Sequence, residues 1–174
     1  MASTHRISTN LWFNHNAEEA VKYYTSIFKD SKIINTTRYG KEGHETHKMP
    51  EGAALTISFE LNGTRFVALN GGNEFQFNEA ISLVVGCDTQ EEIDYYWNKL
   101  TAGGDPNAQI CGWCKDKFGV SWQVVPTQME KEFLKDSPNE KSERVMKALM
   151  KMKKIDIAAL KKAYNGAKQM ADVE

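Results

Sequence analysis

The chain has 174 residues, and a globular chain of ~150 residues already buries roughly 70% of its unfolded surface, so one domain needs neither disulfide nor metal to hold it. A net charge of −1 and an isoelectric point near 6.4 exclude a global field that would draw the protein to nucleic acid or acidic membranes. Three cysteines, Cys87, Cys111 and Cys114, are an odd number that argues against a secreted disulfide framework, and no ~18-residue apolar run marks a membrane span. The opening Met-Ala-Ser-Thr-His-Arg lacks a signal peptide's apolar run, so the expectation is a cytoplasmic protein with no nucleic-acid or membrane partner.

Residues 7–13 read as a strand with aromatics at 12 and 13. Asn16 and Glu19 have the spacing of a capping pattern, and Ala17, Ala20, Val21, Tyr24, Ile27 and Phe28 form one apolar helical face after them. A strand over 32–39 and a polar loop over 40–52 follow. Strands over 54–61 and 65–70 are joined by Asn62-Gly63, a pair suited to a type I′ turn because both positions need positive φ. A further strand is expected over 80–87. Then comes a helix capped by Asp88 or Thr89, with Ile93, Tyr96, Trp97 and Leu100 as its stripe and Gly103-Gly104 ending it. Strands over 109–115 and 119–125, joined by the polar turn at 115–117, close at Pro126.

Glu18 to Tyr24 recurs as Glu91 to Trp97, 73 positions later, each time after an apolar run and before strands. A duplicated strand–helix–strands unit predicts two similar sheets with a cleft where they face each other. Residues 127–174 carry no strand pattern. Two helices are expected there, over 142–152 and 156–164, the second ended by Asn165-Gly166. Seven basic residues stand against one acidic between Arg144 and Lys162, beside an apolar stripe of Val145, Leu149 and Met152. The expected division is a domain over 1–126, with modules 7–70 and 80–126, and a helical extension over 127–174.

Leu-Trp-Phe at 11–13 with Ala-Glu-Glu-Ala at 17–20, Phe-Asn-Glu-Ala-Ile-Ser-Leu-Val-Val at 77–85, and Cys-Gly-Trp at 111–113 form a recognisable set. Asp-Lys-Phe-Gly-Val-Ser-Trp-Gln-Val-Val-Pro at 116–126 and Met-Lys-Lys-Ile-Asp-Ile-Ala-Ala-Leu at 152–160 complete it. With these motifs the protein resembles the PhnB-like group, often labelled "3-demethylubiquinone-9 3-methyltransferase domain", of the vicinal oxygen chelate superfamily of glyoxalases, bleomycin-resistance proteins and dioxygenases. The resemblance implies an α+β fold of paired βαβββ modules, with curved sheets around a cavity and additional helices at the C-terminus. It implies that a metal, where relatives use one, is held at four strand positions. These align with Thr9, Ala68, Ser82 and Gln123, the first and third again 73 apart. None is His, Glu, Asp or Cys, the side chains a divalent ion needs, so no metal and no cofactor is expected. The sequence also lacks the Gly-rich strand–turn–helix loop of a Rossmann-type methyltransferase: Gly71-Gly72 is followed by Asn-Glu-Phe-Gln-Phe.

Strand alternation from those positions extends the expected lining to Leu11, Phe66, Asn70, Val84, Ser121, Trp113 and Cys111. The ligand-binding candidates are therefore Thr9, Leu11, Phe66, Asn70, Ser82, Cys111, Trp113 and Gln123. Trp113 would stack on a ligand and Gln123 would offer a donor/acceptor amide. Cys111-Gly-Trp-Cys114 has C-x-x-C form but stands on an expected strand, without the helix N-terminus that activates a thiol, so packing is the expected role. His44-Glu-Thr-His47 lies in a Gly-bounded loop and lacks H-E-x-x-H spacing; an exposed loop or lid is expected. The function expected is binding of a small organic molecule in the inter-sheet cavity by a homodimer. The alternative is an enzyme of the same superfamily, methyltransferase-like or lyase/dioxygenase-like, with a metal-free or unrecognised site.

Overall fold

The computed structural model describes residues 7–166; the expectation for residues 167–174 lies outside them. The protein forms two compact units, one through Phe77 and one from Asn78.

The first unit runs β1 (Thr9–Phe13), α1 (Ala17–Ile27), β2 (Lys32–Arg38), α2 (His44–His47), β3 (Ala54–Leu61) and β4 (Thr64–Asn70). Its sheet has the order β1-β4-β3-β2, with β1 parallel to β4 and the other pairs antiparallel. The expected face of α1 is the buried one: Ala17, Ala20, Val21, Tyr24 and Ile27 are all sealed. Asn62 and Gly63 both adopt positive φ between β3 and β4, as the turn chemistry requires.

The start of α1 differs from expectation. Asn16 makes no side-chain cap, because its backbone is not in the extended conformation that aims a capping oxygen at the first turn. The Ala17 N–H is instead taken by Asn70 Oδ1 at 2.9 Å, and Asn70 Nδ2 donates to the Ala54 carbonyl at 3.0 Å. One buried amide from β4 thus ties the helix start to β3.

The second unit runs β5 (Leu83–Cys87), α3 (Gln90–Thr101), a 3₁₀ turn at Pro106–Ala108, β6 (Trp113–Lys115) and β7 (Ser121–Pro126). A π-helical turn at Met129–Phe133, α4 (Glu140–Leu149) and α5 (Ile157–Asn165) follow. Sheet order is β5-β7-β6, with β5 parallel to β7 and β6 antiparallel to it. This repeats the wiring β1-β4-β3 of the first unit, so the duplicated helix motif reports a duplicated fold. The second sheet has three strands, with no counterpart of β2 among the described residues. Asp105 caps the 3₁₀ turn there and Pro106 has no N–H for a ladder.

Helix α3 is capped by Thr89, whose hydroxyl accepts from Glu92 N, and it buries Ile93, Trp97 and Leu100; Tyr96 is only partly covered. The sheet face carrying Cys87, Cys114, Trp122 and Val124 is sealed. Asp116 organises the β6–β7 turn from a buried position. Its Oδ1 accepts from Phe118 N and Val120 N at 2.8 and 3.0 Å, and its Oδ2 accepts from Trp122 Nε1 at 2.8 Å.

The C-terminal helices pack on this second unit. An Asn139/Ser142 capping box starts α4, and Asp156 caps α5. Arg144 donates to the Ala163 and Tyr164 carbonyls at 2.9 and 2.8 Å, closing the end of α5 where a cation is also favoured by the helix dipole. Lys154 pairs with Asp94 at 2.6 Å, and Lys153 reaches the Pro106 carbonyl at 3.4 Å. Three members of the basic run therefore make contacts within the fold.

Candidate functional site

The first sheet corrects the sequence reading by one residue. Thr9 pairs with Phe66, Leu11 with Ala68 and Phe13 with Asn70, so these side chains share a face. Asn70 bonds the first turn of α1, which makes this the helix-covered face. Leu11, Phe66, Ala68 and Asn70 are buried there, with Thr9 at its rim, and none reaches the open side. A slip of one residue turns every side chain of a strand over. The open face carries Asn10, Trp12, Val67 and Leu69 instead. Burying Leu11, Phe13, Ile57 and Phe66 is worth about 1.5–3 kcal/mol each, together comparable with the 5–15 kcal/mol stability of a typical domain, so the register is not negotiable. The glycine pair also finds its reason here. Trp12 lies over Gly71, where a Cβ would collide with the indole, and its Nε1 donates to the Gly72 carbonyl at 3.0 Å.

The second sheet gathers several expected residues. Val84 pairs with Gln123 and Gln123 with Trp113, while Lys115 pairs with Ser121, so all five point to the face away from Trp122 and Val124. Ser82, just before β5, accepts from Gln123 Nε2 at 2.8 Å. On this face lies a pocket of about 340 Å³ whose lining includes Trp113, Ile110, Lys115, Glu79 and Ser121. A second, larger hollow of about 690 Å³ adjoins Val84, Gln123 and Val125 and reaches Met129 and Leu134.

Cys111 is not part of this face. The expected strand 109–115 is broken by a two-residue turn, Cys111-Gly112, both at positive φ, with Ile110 and Trp113 exchanging backbone hydrogen bonds across it. Counting alternation through a turn fails, and the Cys111 thiol points to the Leu149 carbonyl at 3.5 Å.

The electrostatics disfavour a reactive thiolate at Cys87 or Cys114. Burial, and then the Asp116 charge, push the Cys114 thiol up to about 12; burial likewise lifts Cys87 to about 12. Lys115 forms an ion pair with Glu79 and holds that carboxyl below the ordinary carboxylate range. Of the four aligned positions, Thr9 and Ala68 belong to the helix-covered face and Ser82 and Gln123 are neutral, a donor set that does not fit a divalent ion. No cluster of three His, Cys, Asp or Glu side chains occurs among the described residues. In α2, His47 accepts from Met49 N and lies 3.2 Å from the Glu42 carbonyl, so both ring nitrogens are engaged.

A family model described as 3-demethylubiquinone-9 3-methyltransferase matches residues 5–125. The chain belongs to this family. A Bacillus cereus protein described by the same family name and as a PhnB protein is 36% identical, matching 71% of this chain and 100% of its own, with a TM-score of 0.60. A Pseudomonas aeruginosa protein is 18% identical over 71% of this chain and 98% of its own, with a TM-score of 0.54. The fosfomycin resistance protein FosX from Listeria monocytogenes, complexed with Mn(II) and sulfate ion, is 16% identical over 75% of this chain and 98% of its own, TM-score 0.50. Family and fold neighbours together place the protein in the vicinal oxygen chelate superfamily. No curated protein matches it. Sequence reasoning had not singled out Lys115, Glu79 or Ile110, which read as turn, linker and strand residues; a charged residue two places after Trp113 on one strand face was the available signal.

Proposed function

We propose that this member of the 3-demethylubiquinone-9 3-methyltransferase family binds a small, ring-bearing organic molecule on the open face of its second sheet, without a divalent metal. One observation carries the reading: a pocket of about 340 Å³, within the range of ligand sites, combines the Trp113 indole with the Ser121 hydroxyl. That hydroxyl is buried at 3% residue exposure and has no hydrogen-bond partner among the described residues. A buried unpaired hydroxyl costs about 1–3 kcal/mol, which a ligand oxygen or nitrogen would recover. Gln123, hydrogen-bonded to Ser82, lines the second hollow on the same sheet face and not this pocket. The Mn(II) of FosX is not carried over, because the four positions that the family resemblance aligns with metal ligands hold Thr9, Ala68, Ser82 and Gln123, none with a strong ligating group.

The test is a thermal-shift screen against aromatic and quinone-like compounds. A hit is expected to raise the melting temperature of the parent and to lose its shift in Trp113→Ala; a variant that binds as well as the parent removes the site. Elemental analysis showing a stoichiometric, tightly held divalent ion would overturn the metal-free part.

The same reading includes a cytoplasmic homodimer. Its three cysteines are free thiols, and the edge strand β2 leaves Ile33 and Ile34 45% and 41% exposed, an apolar edge that a second copy would cover. Light scattering that returns a monomer mass at micromolar concentration ends that part. No helix among the described residues is long and apolar enough to cross a membrane.

A further inference from the structure

Charge decides which ring-bearing molecules this pocket takes. Lys115 is anchored on β6 and faces the pocket beside Ser121, its partner across the β6–β7 ladder. Its ammonium is satisfied by Glu79, which lies outside any helix or strand and is the more exposed member of the pair, at 60% against 25% for Lys115. The two partners are therefore unequal: the cation is fixed by a strand, whereas the carboxylate sits on a linker and can return to water at little cost. A salt bridge of this exposure contributes little, since solvent screens it.

Resting on the binding reading above, we propose that the pocket is selective for planar organic acids, aromatic carboxylates or acidic phenols, whose anionic group displaces Glu79 from Lys115. The ring lies against Trp113 and Ile110. One acid oxygen takes the Lys115 ammonium, and the Ser121 hydroxyl donates to the anion, satisfying the buried group left unpaired in the protein alone. A cationic ring would meet Lys115 with like charge. A neutral ring would leave the Lys115–Glu79 pair untouched and gain only the Ser121 contact. Glu79 thus acts as an internal competitor that fills the anion site until a ligand arrives, and removing it should strengthen binding.

The experiment uses a matched pair, 2-naphthoate and the neutral 2-naphthamide, titrated calorimetrically into the full-length protein. The parent is expected to bind the naphthoate about tenfold tighter than the amide, the size of one charge-assisted hydrogen bond. Glu79→Gln should tighten naphthoate by roughly threefold and leave the amide unchanged, since the competing carboxylate is removed. Lys115→Met should bring the two probes within about twofold of each other while the amide still binds. Equal affinities in the parent, or a Glu79→Gln protein that binds naphthoate less well, overturn the anion selectivity and leave ring binding standing. If neither probe binds the parent, both this inference and the binding proposal it rests on fall.

Discussion

Asn70 shows how one residue can look like a ligand contact and be a structural joint. A neutral amide at the end of a strand suits a binding site, yet both ends of this one are taken, by Ala17 N–H and the Ala54 carbonyl. Asn70→Ala leaves two buried backbone groups unpaired and should cost about 2–4 kcal/mol in a denaturant titration. Ligand binding measured well below the midpoint should be unaffected; loss of affinity without loss of stability would return Asn70 to the site. Asp116 belongs to the same class: a residue that reads as a polar turn is a buried carboxylate taking three N–H donors.

At the level of elements, the Cys111-Gly112 turn joins the C-terminal helices to the pocket. Cys111 N and Gly112 N donate to the Met152 and Lys153 carbonyls at 2.7 and 2.8 Å, while the Gly112 carbonyl accepts from Val124 N on β7. Gln90 of α3 holds the same segment, donating to the Ile155 carbonyl and accepting from Ile157 N. The next residue in sequence is Trp113, so the helical segment supports the turn that presents it. Gly112 has φ +85°, and a Cβ there would lie 2.8 Å from Ile155 Cδ1 and 2.9 Å from the Val124 carbonyl. Gly112→Ala should therefore lower stability by about 2–4 kcal/mol and weaken ring binding by the folded fraction. Gly103→Ala is the control: its φ is +74° but the nearest atom is 3.5 Å away, so only the backbone strain of about 1–2 kcal/mol remains. Equal losses in the two variants would mean that the contact with Ile155 carries no weight.

For the molecule as a whole, the buried thiols set an alkaline limit. Cys87 and Cys114 have their titrations raised to about 12, so the folded state favours the neutral form. A raised acid contributes stability in full below its unfolded value near 8.5–9 and loses it as pH climbs toward the folded value. The denaturation midpoint should hold to about pH 8.5 and fall between there and pH 11. A Cys87→Ala/Cys114→Ala protein should fall less steeply over the same window; identical slopes would show that these thiols are not the cause.

Much of this was legible in the sequence, for reasons of period and chemistry. A helix reveals its covered side whenever its apolar residues recur every three to four positions, as they do in α1 and α3, and the repeated Glu-Glu stretch marks both helices as equivalent. Turn residues such as Asn62-Gly63 declare their own backbone. The strands were less readable. β1 carries Leu11, Trp12 and Phe13 in succession, apolar on both sides, so no alternation tells which side meets the helix. Only the packing of α1 on β3 and β4, pinned by Asn70, chose the face, and with it which side chains were free to meet a ligand. The Lys115–Glu79 pair and the unpaired Ser121 hydroxyl likewise exist only once β6, β7 and the 78–82 linker come together. Local sequence sets periods and turns; contacts between distant residues set which groups are left unsatisfied, and those groups carry the proposed function.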